Sequence, residues 1–128
     1  IINSLDSFIN DWSILDLFKD QKSRNEDNYL LQQEIRLSHN KEQLAKSLIS
    51  FSKGSMPAFQ ESFNLFDFPI FLINGHDDTK YIKLNRDMMK INKSCKQFII
   101  DKASHNTHLE NPDMFTDILT NSILINFT

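Results

Sequence analysis

The sequence predicts an α/β protein in which a helical first half precedes a β-α-β-loop-α second half. In residues 1–57, apolar side chains recur every three or four positions, which is the spacing of one helix face. In residues 58–128, two short apolar runs flank a helical pattern, as is typical of strands buried in a parallel sheet. Only two glycines and three prolines occur, so long helices with few tight turns are expected.

Three helices are expected in the first half. A first helix is predicted around residues 8–18, a second over 26–37 and a third over about 40–51 with Asn40 as its cap. Residues 53–57, Lys-Gly-Ser-Met-Pro, are expected to end this block, because glycine can take a left-handed conformation and proline cannot continue a helix. The apolar faces consist of Phe8, Trp12, Leu15 and Phe18, then Leu30, Leu31 and Ile35, then Leu44, Leu48 and Phe51.

The second half alternates strand and helix. Strands are predicted at residues 68–74 and 97–100, with a helix between them that starts after the polar turn 75–79. Strands that alternate with helices imply a parallel sheet with a right-handed crossover. Two parallel strands are too few to be buried alone, so the sheet is expected to need strands that this sequence does not supply. A last helix is predicted from Asn111 as N-cap, Pro112 as first helical residue and Asp113 in the first turn, with Phe115, Ile118, Leu119 and Ser122 on one face.

The composition excludes several classes of protein. A net charge of −3 and a pI near 5.7 leave no basic footprint for nucleic acid or for an anionic membrane surface. No apolar run approaches the ~18 residues needed to cross a bilayer. The single cysteine, Cys95, excludes an internal disulfide and suits a reducing compartment. We therefore expect a cytoplasmic protein without nucleic-acid or membrane partners. The start has neither an initiator Met nor a basic leader, so the chain is expected to begin inside a larger protein.

Two polar clusters follow the two predicted strands directly. Residues 76–78 (His-Asp-Asp) follow the first strand, and His105, His108 and Glu110 follow the second. Functional groups collect beyond the carboxyl ends of parallel strands, so these clusters are expected to lie side by side. One interpretation is a metal site, although a loop does not fix the His-x-x-His spacing as a helix would. A second is that the acids cap helices and the histidines are solvated.

A third interpretation is the Asp-His pair of a nucleophile-acid-histidine relay. The carboxylate orients the imidazole, and the other ring nitrogen takes a proton from a serine. Such enzymes with an α/β sheet have the chain order Ser, Asp or Glu, His. Asp78 precedes His105 with room for one helix and one strand between them. This order matches the tail of such an enzyme.

The two loops also resemble a known family. Residues 75–81, Gly-x-x-Asp-Thr-Lys-Tyr, resemble the acid-loop motif Gly-x-x-Asp-Ser/Thr-Lys-Phe/Tyr of one α/β-hydrolase branch. Residues 103–112, Ala-Ser-His-Asn-x-His-x-Glu-Asn-Pro, resemble its histidine loop, Ala-Gly-His-Asn-x-His-x-Glu-Asn-Pro. Residues 8–18 and 36–48 resemble its cap motifs. The family is that of the 2-succinyl-6-hydroxy-2,4-cyclohexadiene-1-carboxylate synthases of menaquinone biosynthesis.

The resemblance implies the C-terminal half of an α/β-hydrolase fold, with a helical cap or lid in residues 1–57 and the last two strands with their helices in 58–128. A full member is about twice as long, and its Gly-x-Ser-x-Gly nucleophile elbow is expected upstream, because no such pentapeptide occurs here. Three departures from the family pattern occur. Ser104 replaces a glycine, His76 stands where an acid is common, and residues 53–55 differ from Gly-Thr-Gly.

The resemblance further implies a lyase that eliminates pyruvate from a succinyl-enolpyruvyl-hydroxycyclohexene-carboxylate, with no cofactor and no metal. Asp78 and His105 would form the relay with a serine carried by the N-terminal half of the same protein. Asp78 is favoured over Asp77 by the motif register, and Asp77 is expected to face solvent or cap the next helix.

The carboxylates of that substrate suggest a role for residues of the cap. Arg36 is expected to bind a carboxylate, with a solvated helix charge as the alternative. Trp12 and Phe18 are expected to close over the ring or to form cap core. His108 and Glu110 are expected to hold the loop.

Two other functions stay open at this point. The chain could belong to another α/β-hydrolase, such as an esterase or a C–C bond hydrolase, because the same relay serves those reactions. It could also be a non-catalytic cap-and-tail piece that associates with a separate N-terminal chain.

Overall fold

The computed structural model describes residues 4–52, 54, 56–57 and 60–127 of the chain. The described helices that precede the first strand are α1 (Leu5–Ser13), α2 (Gln21–Arg24), α3 (Glu26–Leu37), α4 (Lys41–Ser50) and α5 (Gln60–Phe63). They are followed by β1 (Ile70–Gly75), α6 (Thr79–Ile91), β2 (Cys95–Ile100), α7 (Thr107–Glu110) and α8 (Pro112–Asp117), which continues as a π-helical turn (Ile118–Ile123) and a 3-10 turn (Leu124–Phe127). We refer to α1–α4 as the helical segment.

The first predicted helix is shorter than its apolar pattern suggested. The helix α1 ends at Ser13, whose hydroxyl donates to the carbonyl oxygen of Ile9 at 2.8 Å. Short hydroxyl side chains compete in this way with the backbone ladder, and a series of turns follows over residues 14–20. Leu15 and Phe18 therefore do not lie on the face of α1, so that prediction was wrong. The turns nevertheless return Phe18 to Trp12, whose ring it stacks on at 5.5 Å between centroids.

The second and third predicted helices are present. The helix α3 spans Glu26–Leu37, and its N-cap Asn25 accepts a hydrogen bond from the backbone of Asn28 at 3.1 Å. The helix α4 begins after Asn40, whose side chain accepts from the backbone of Gln43 at 3.0 Å, as predicted. Neither helix contains a buried residue, so their apolar faces are largely open within the described chain. The predicted end of this block at residues 53–57 lies partly outside the described residues.

The two strands form the predicted parallel sheet. The strands β1 and β2 pair in register from Ile70 opposite Cys95 to Gly75 opposite Ile100, with α6 as the crossover between them. Among the described residues β1 has a strand neighbour on one side only. The core behind the sheet contains Ile100, Ala103, Ile118 and Ile123, with Phe71, Ile73, Phe98, Met114, Phe115 and Leu119 packed against them.

A buried polar cluster fixes the end of β1. The Asn74 side chain is 5% exposed, and its Oδ1 accepts hydrogen bonds from Asn85 of α6 at 2.6 Å and from Gln97 of β2 at 2.8 Å. A buried amide needs such partners, because an unpaired one is costly. The crossover helix and both strands are therefore joined immediately before the first polar loop.

The last helix begins as predicted but is preceded by one that was not. Asn111 caps α8 by accepting from the backbone of Met114 at 3.2 Å, and Pro112 is the first helical residue. The short helix α7 (Thr107–Glu110) occupies part of the region predicted as loop. No described helix is long and apolar enough to cross a membrane.

Candidate active site

The loops that follow β1 and β2 lie against each other. The backbone N–H of His76 donates to the carbonyl oxygen of Ile100 at 2.8 Å, and that of Asp77 donates to Ala103 at 3.1 Å. Gly75 permits this approach, because a Cβ built at this position would collide with the carbonyl groups of Ala103 and Ser104. The strand-exit loops (residues 75–78 and 101–106) are therefore fixed to each other through their backbones.

These loops bring Asp78 and His105 together. The Nδ1 of His105 lies 2.7 Å from Oδ2 of Asp78, and the two side chains are 27% and 5% exposed. The other oxygen of Asp78 accepts from the backbone N–H of Tyr81 at 3.3 Å and so caps α6. A nearly buried carboxylate thus orients the imidazole through one oxygen while the other is held by a helix N-terminus.

Two aromatic rings flank the imidazole of His105. The ring of Tyr81 lies 4.6 Å away between centroids, and the ring of Phe18 meets the imidazole edge-on at 5.9 Å. Trp12 stacks on Phe18 in turn. Trp12 and Phe18 of the helical segment therefore pack on each other, and Phe18 also contacts His105.

Glu110 holds the backbone on both sides of His105. It is a buried carboxylate, 1% exposed at its side chain. Its Oε2 accepts from the N–H of Ser104 at 2.5 Å, and its Oε1 accepts from the N–H of Asn106 at 3.2 Å. The role of holding the loop was predicted for this residue. The neighbouring His108 is exposed and its ring lies beside Phe115, at 5.9 Å.

Sequence reasoning missed Arg24, which joins the helical segment to both loops. The Nη2 of Arg24 donates to Oδ2 of Asp77 at 2.7 Å. Its Nε lies 3.3 Å from Oε2 of Glu110, a charge contact without the alignment of a hydrogen bond. Arg24 is on the four-residue helix α2, far from both acids along the chain, so no periodicity or spacing could have indicated the contact. Asn28 adds a second link, since its side chain donates to the carbonyl oxygen of Leu109 at 3.0 Å.

Asp77, the residue before Asp78, is exposed to solvent, which is one of the two alternatives predicted for it. Asp77 does not cap α6, because Asp78 does. Its carboxylate instead receives Arg24 and lies 2.8 Å from Nδ1 of the exposed His76. The hydrogen bond that the Asp77 carboxylate accepts raises the pKa of His76, and the same bond, together with the one from Arg24, lowers the pKa of Asp77. His76, one of the departures from the family motif, thus pairs with Asp77 at the protein surface.

The serine that replaces a glycine before His105 fits without strain. Among the described non-glycine residues only Lys102 has a positive φ, of 55°. Ser104 is thus outside the region that favours glycine. The N–H of Ser104 donates to the carboxylate of Glu110.

Arg36 lines a small cavity in the helical segment. The cavity has a volume of about 150 Å³ and is lined by Phe8, Ile9, Trp12, Arg36, His39, Leu44 and Leu48. Burial lowers the pKa of Arg36, and its Nη1 is buried without a hydrogen-bond partner among the described residues. A guanidinium nitrogen in this state can donate to an anion that enters the cavity. Trp12 is common to the cavity and to the aromatic group beside His105.

His76 and His105 each pair with a different acid. Among the described residues, no three His, Cys, Asp or Glu side chains converge as metal ligands would. His76 pairs with Asp77 and His105 pairs with Asp78, while Glu110 binds backbone N–H groups. This arrangement matches the relay interpretation of the polar clusters.

Comparisons with known proteins agree with this geometry. No family model matches the chain. A protein of Bacillus subtilis (strain 168), provisionally named as a 2-succinyl-6-hydroxy-2,4-cyclohexadiene-1-carboxylate synthase, is 32% identical over 92% of this chain and 43% of its own length. The synthase of that name from Salmonella arizonae is 32% identical over 66% of this chain and 32% of its own length. The chain thus spans less than half of the length of the relatives that it matches.

A solved structure gives the same result for the fold. The structure of MenH from S. aureus superposes on 92% of this chain and 44% of its own with a TM-score of 0.86, at 25% sequence identity. The predicted fold class is therefore confirmed as the C-terminal part of an α/β-hydrolase. Sequence and structure together show that this chain is a homologue of the C-terminal half of the 2-succinyl-6-hydroxy-2,4-cyclohexadiene-1-carboxylate synthases.

Proposed function

We propose that this chain supplies the acid, the histidine and the cap of an enzyme that eliminates pyruvate from a succinyl-enolpyruvyl-hydroxycyclohexene-carboxylate to form 2-succinyl-6-hydroxy-2,4-cyclohexadiene-1-carboxylate. The observation that carries the proposal is the 2.7 Å contact between His105 Nδ1 and Asp78 Oδ2. The names of the relatives in two genera supply the product, and the elimination of pyruvate is what the resemblance of the loop motifs implies. The cap corresponds to residues 1–57 and the core to 58–128.

The geometry of the pair suits a proton carrier. A carboxylate on Nδ1 fixes the ring and stabilises its cation, so Nε2 is the nitrogen that exchanges protons. No described residue bonds Nε2, and about a quarter of the side chain is exposed, which leaves a path to a reacting group. Tyr81 and Phe18 restrict rotation of the ring.

The nucleophilic serine and the oxyanion donors belong to an N-terminal half of the same protein. In the described part of the chain β1 has a strand neighbour on one side only, which supports this, because a parallel strand needs neighbours on both sides to be buried. So do the apolar residues that the described chain leaves exposed, including Ile14, Leu30, Leu31, Leu65 and Phe68. The chain's share of its relatives' length agrees with a missing half.

The substrate carries several carboxylates, and Arg36 is the residue that binds one of them. Its Nη1 is buried without a hydrogen-bond partner among the described residues, which costs free energy, and a hydrogen bond to a substrate carboxylate removes this cost. Trp12 provides an apolar wall of the same cavity and connects it through Phe18 to His105. Phe18 and Trp12 thereby link the site of binding to the site of proton transfer.

In the reaction, the upstream serine gives its proton to Nε2 of His105 and acts as base on the acidic carbon of the ring. The C–H bond breaks and its electron pair adds one double bond to the ring, which converts the cyclohexene into a cyclohexadiene, while the C–O bond to the enolpyruvyl group breaks and its electrons leave with the oxygen. The departing enolate takes a proton from His105 and becomes pyruvate, and the succinyl group stays on the ring. His105 ends the cycle neutral.

The test uses the full-length protein and its substrate. Pyruvate release is followed by coupled NADH oxidation for the wild type and for His105→Ala, with circular dichroism to compare their folds. We expect the variant to keep its fold and lose activity by about 10⁴-fold or more. Near-normal activity in the folded variant would refute the relay.

The two alternatives have distinct outcomes in the same set of measurements. Ester hydrolysis without pyruvate release by the wild type would replace the synthase by another α/β-hydrolase activity. The mass of the native protein tests whether one chain carries both halves. A mass that corresponds to this chain bound to a separate N-terminal chain would refute that proposal. A single chain of about twice this length is expected.

A further inference from the structure

A single side chain of the helical segment, that of Arg24, contacts Asp77 in the first strand-exit loop and the buried Glu110 in α7, which follows the second loop. Arg24 is 18% exposed and lies between Asp77, which precedes the relay acid, and Glu110, which binds the loop around His105. Neither contact involves Asp78 or His105. The contacts connect α2 to both strand-exit loops at the place where the relay is assembled.

The contact with Glu110 has consequences for His105. Glu110 binds the N–H groups of Ser104 and Asn106, which precede and follow the histidine. A buried carboxylate is held best when a cation balances its charge, and Arg24 is the cation in contact with it among the described residues. A change in the position of Glu110 therefore moves both peptide groups next to His105.

The contact with Asp77 acts on the other half of the relay. Asp77 adjoins Asp78, and its backbone N–H is bound to the carbonyl oxygen of Ala103 in the second loop. The guanidinium of Arg24 thus balances Asp77 of the first strand-exit loop and Glu110 of α7, which binds the backbone of the second loop. A planar fork with several N–H donors suits this task, whereas the single ammonium of a lysine does not.

We propose that Arg24 is a positioning residue that couples docking of the helical segment to the relay geometry, so that His105 is held correctly only while this segment is in place. The proposal rests on the proposed function, because pyruvate release is the reaction by which the role of Arg24 is measured. Arg24 acts through Glu110 and Asp77 and touches no reacting group. Phe18 arrives beside His105 on the same segment, so docking also completes the aromatic surroundings of the ring.

Kinetics of three full-length variants test this role. We expect Arg24→Gln to lower kcat for pyruvate release by about tenfold to a hundredfold, because small displacements of reacting groups cost this much, and to leave KM within about twofold. Arg36→Gln, which removes the proposed carboxylate donor, should instead raise KM. Arg86→Gln, at an exposed position of α6, serves as the surface control and should match the wild type.

Rescue separates positioning from stability. Guanidinium ion at a non-denaturing concentration should restore part of the activity of Arg24→Ala and none of the activity of His105→Ala. Arg24→Lys should have a kcat between those of Arg24→Gln and the wild type. A lower Tm with an unchanged kcat per folded molecule would mean that Arg24 only stabilises the fold, and a change in KM alone would mean that it binds substrate. Either result overturns the proposal.

The two proposals fail in different ways. If the wild type hydrolyses p-nitrophenyl acetate but releases no pyruvate, the synthase function fails, and the same variants are compared on that ester. If the wild type releases pyruvate and Arg24→Gln matches it in kcat, only the positioning role fails. A wild type that is inactive toward both substrates overturns both.

Discussion

The strand-exit loops and the helical segment are parts of one chain, but different forces hold them. The loops are joined by backbone hydrogen bonds, by the close approach at Gly75 and by buried acids with specific partners. In the helical segment, α3 and α4 contain no buried residue, and the segment reaches the loops mainly through Arg24, Asn28 and Phe18. The proposed relay therefore lies on loops that their backbones join, and the segment that covers it is attached by a few side chains.

The largest expected effect is on the relay itself. In the full-length protein, Asp78→Asn should keep the cap on α6, because asparagine caps as well as aspartate, while it loses the negative charge that orients His105. We expect kcat to fall by about 10³- to 10⁴-fold. Asp77→Asn should cost less than about tenfold by the same pyruvate assay. Equal losses in the two variants would contradict the assignment of Asp78 as the relay acid.

A pair of glycine variants compares the two regions directly. At Gly75 an added Cβ would collide with the backbone of the neighbouring loop, whereas at Gly54, which follows α4, the nearest atom is 3.7 Å away. We expect Gly75→Ala to lower the free energy of unfolding by about 3 kcal/mol, as overpacking of this kind does. Gly54→Ala should change it by less than about 0.5 kcal/mol. Urea unfolding of both full-length variants measures this, and similar values would show that the loops are no more rigid than the helical segment.

The smallest effect is expected at the exposed His76–Asp77 pair. Because Asp77 raises the pKa of His76, the pair stabilises the fold fully at pH values below the ordinary pKa of histidine and loses this effect as pH rises through the raised value. NMR titration of the His76 ring should give a midpoint above about 6.5, and Asp77→Asn should return it toward that value. A midpoint that does not respond to Asp77→Asn would show that the pair does not persist in solution.

The sequence was sufficient to predict the features that depend on a local interaction or on a motif. Asn40 and Asn111 were identified as caps because a cap depends on the next three residues. Asp78 and His105 were placed by the register of their motifs after two strands. Leu15 was assigned wrongly to α1, because the hydroxyl of Ser13 bonds back to the helix and periodicity does not detect this.

The contacts that could not be predicted join residues that are distant in sequence. Arg24 finds Asp77 across 53 positions, and Glu110 lies further still along the chain. The helix α7 was read as loop since four residues are too few for a periodic signal. The orientation of Arg36 into a cavity likewise needs α1 and α4 to be packed around it.

The strand β1 pairs with only one other strand among the residues that the structure describes, and this has a practical consequence for work with this chain. A strand edge of this kind is a template for another strand, and β1 carries the apolar residues Leu72 and Ile73. Strands of this kind cause aggregation unless they are covered. Produced alone, the chain is expected to self-associate through this edge, so activity and folding are best studied in a protein that supplies the next strand of the sheet.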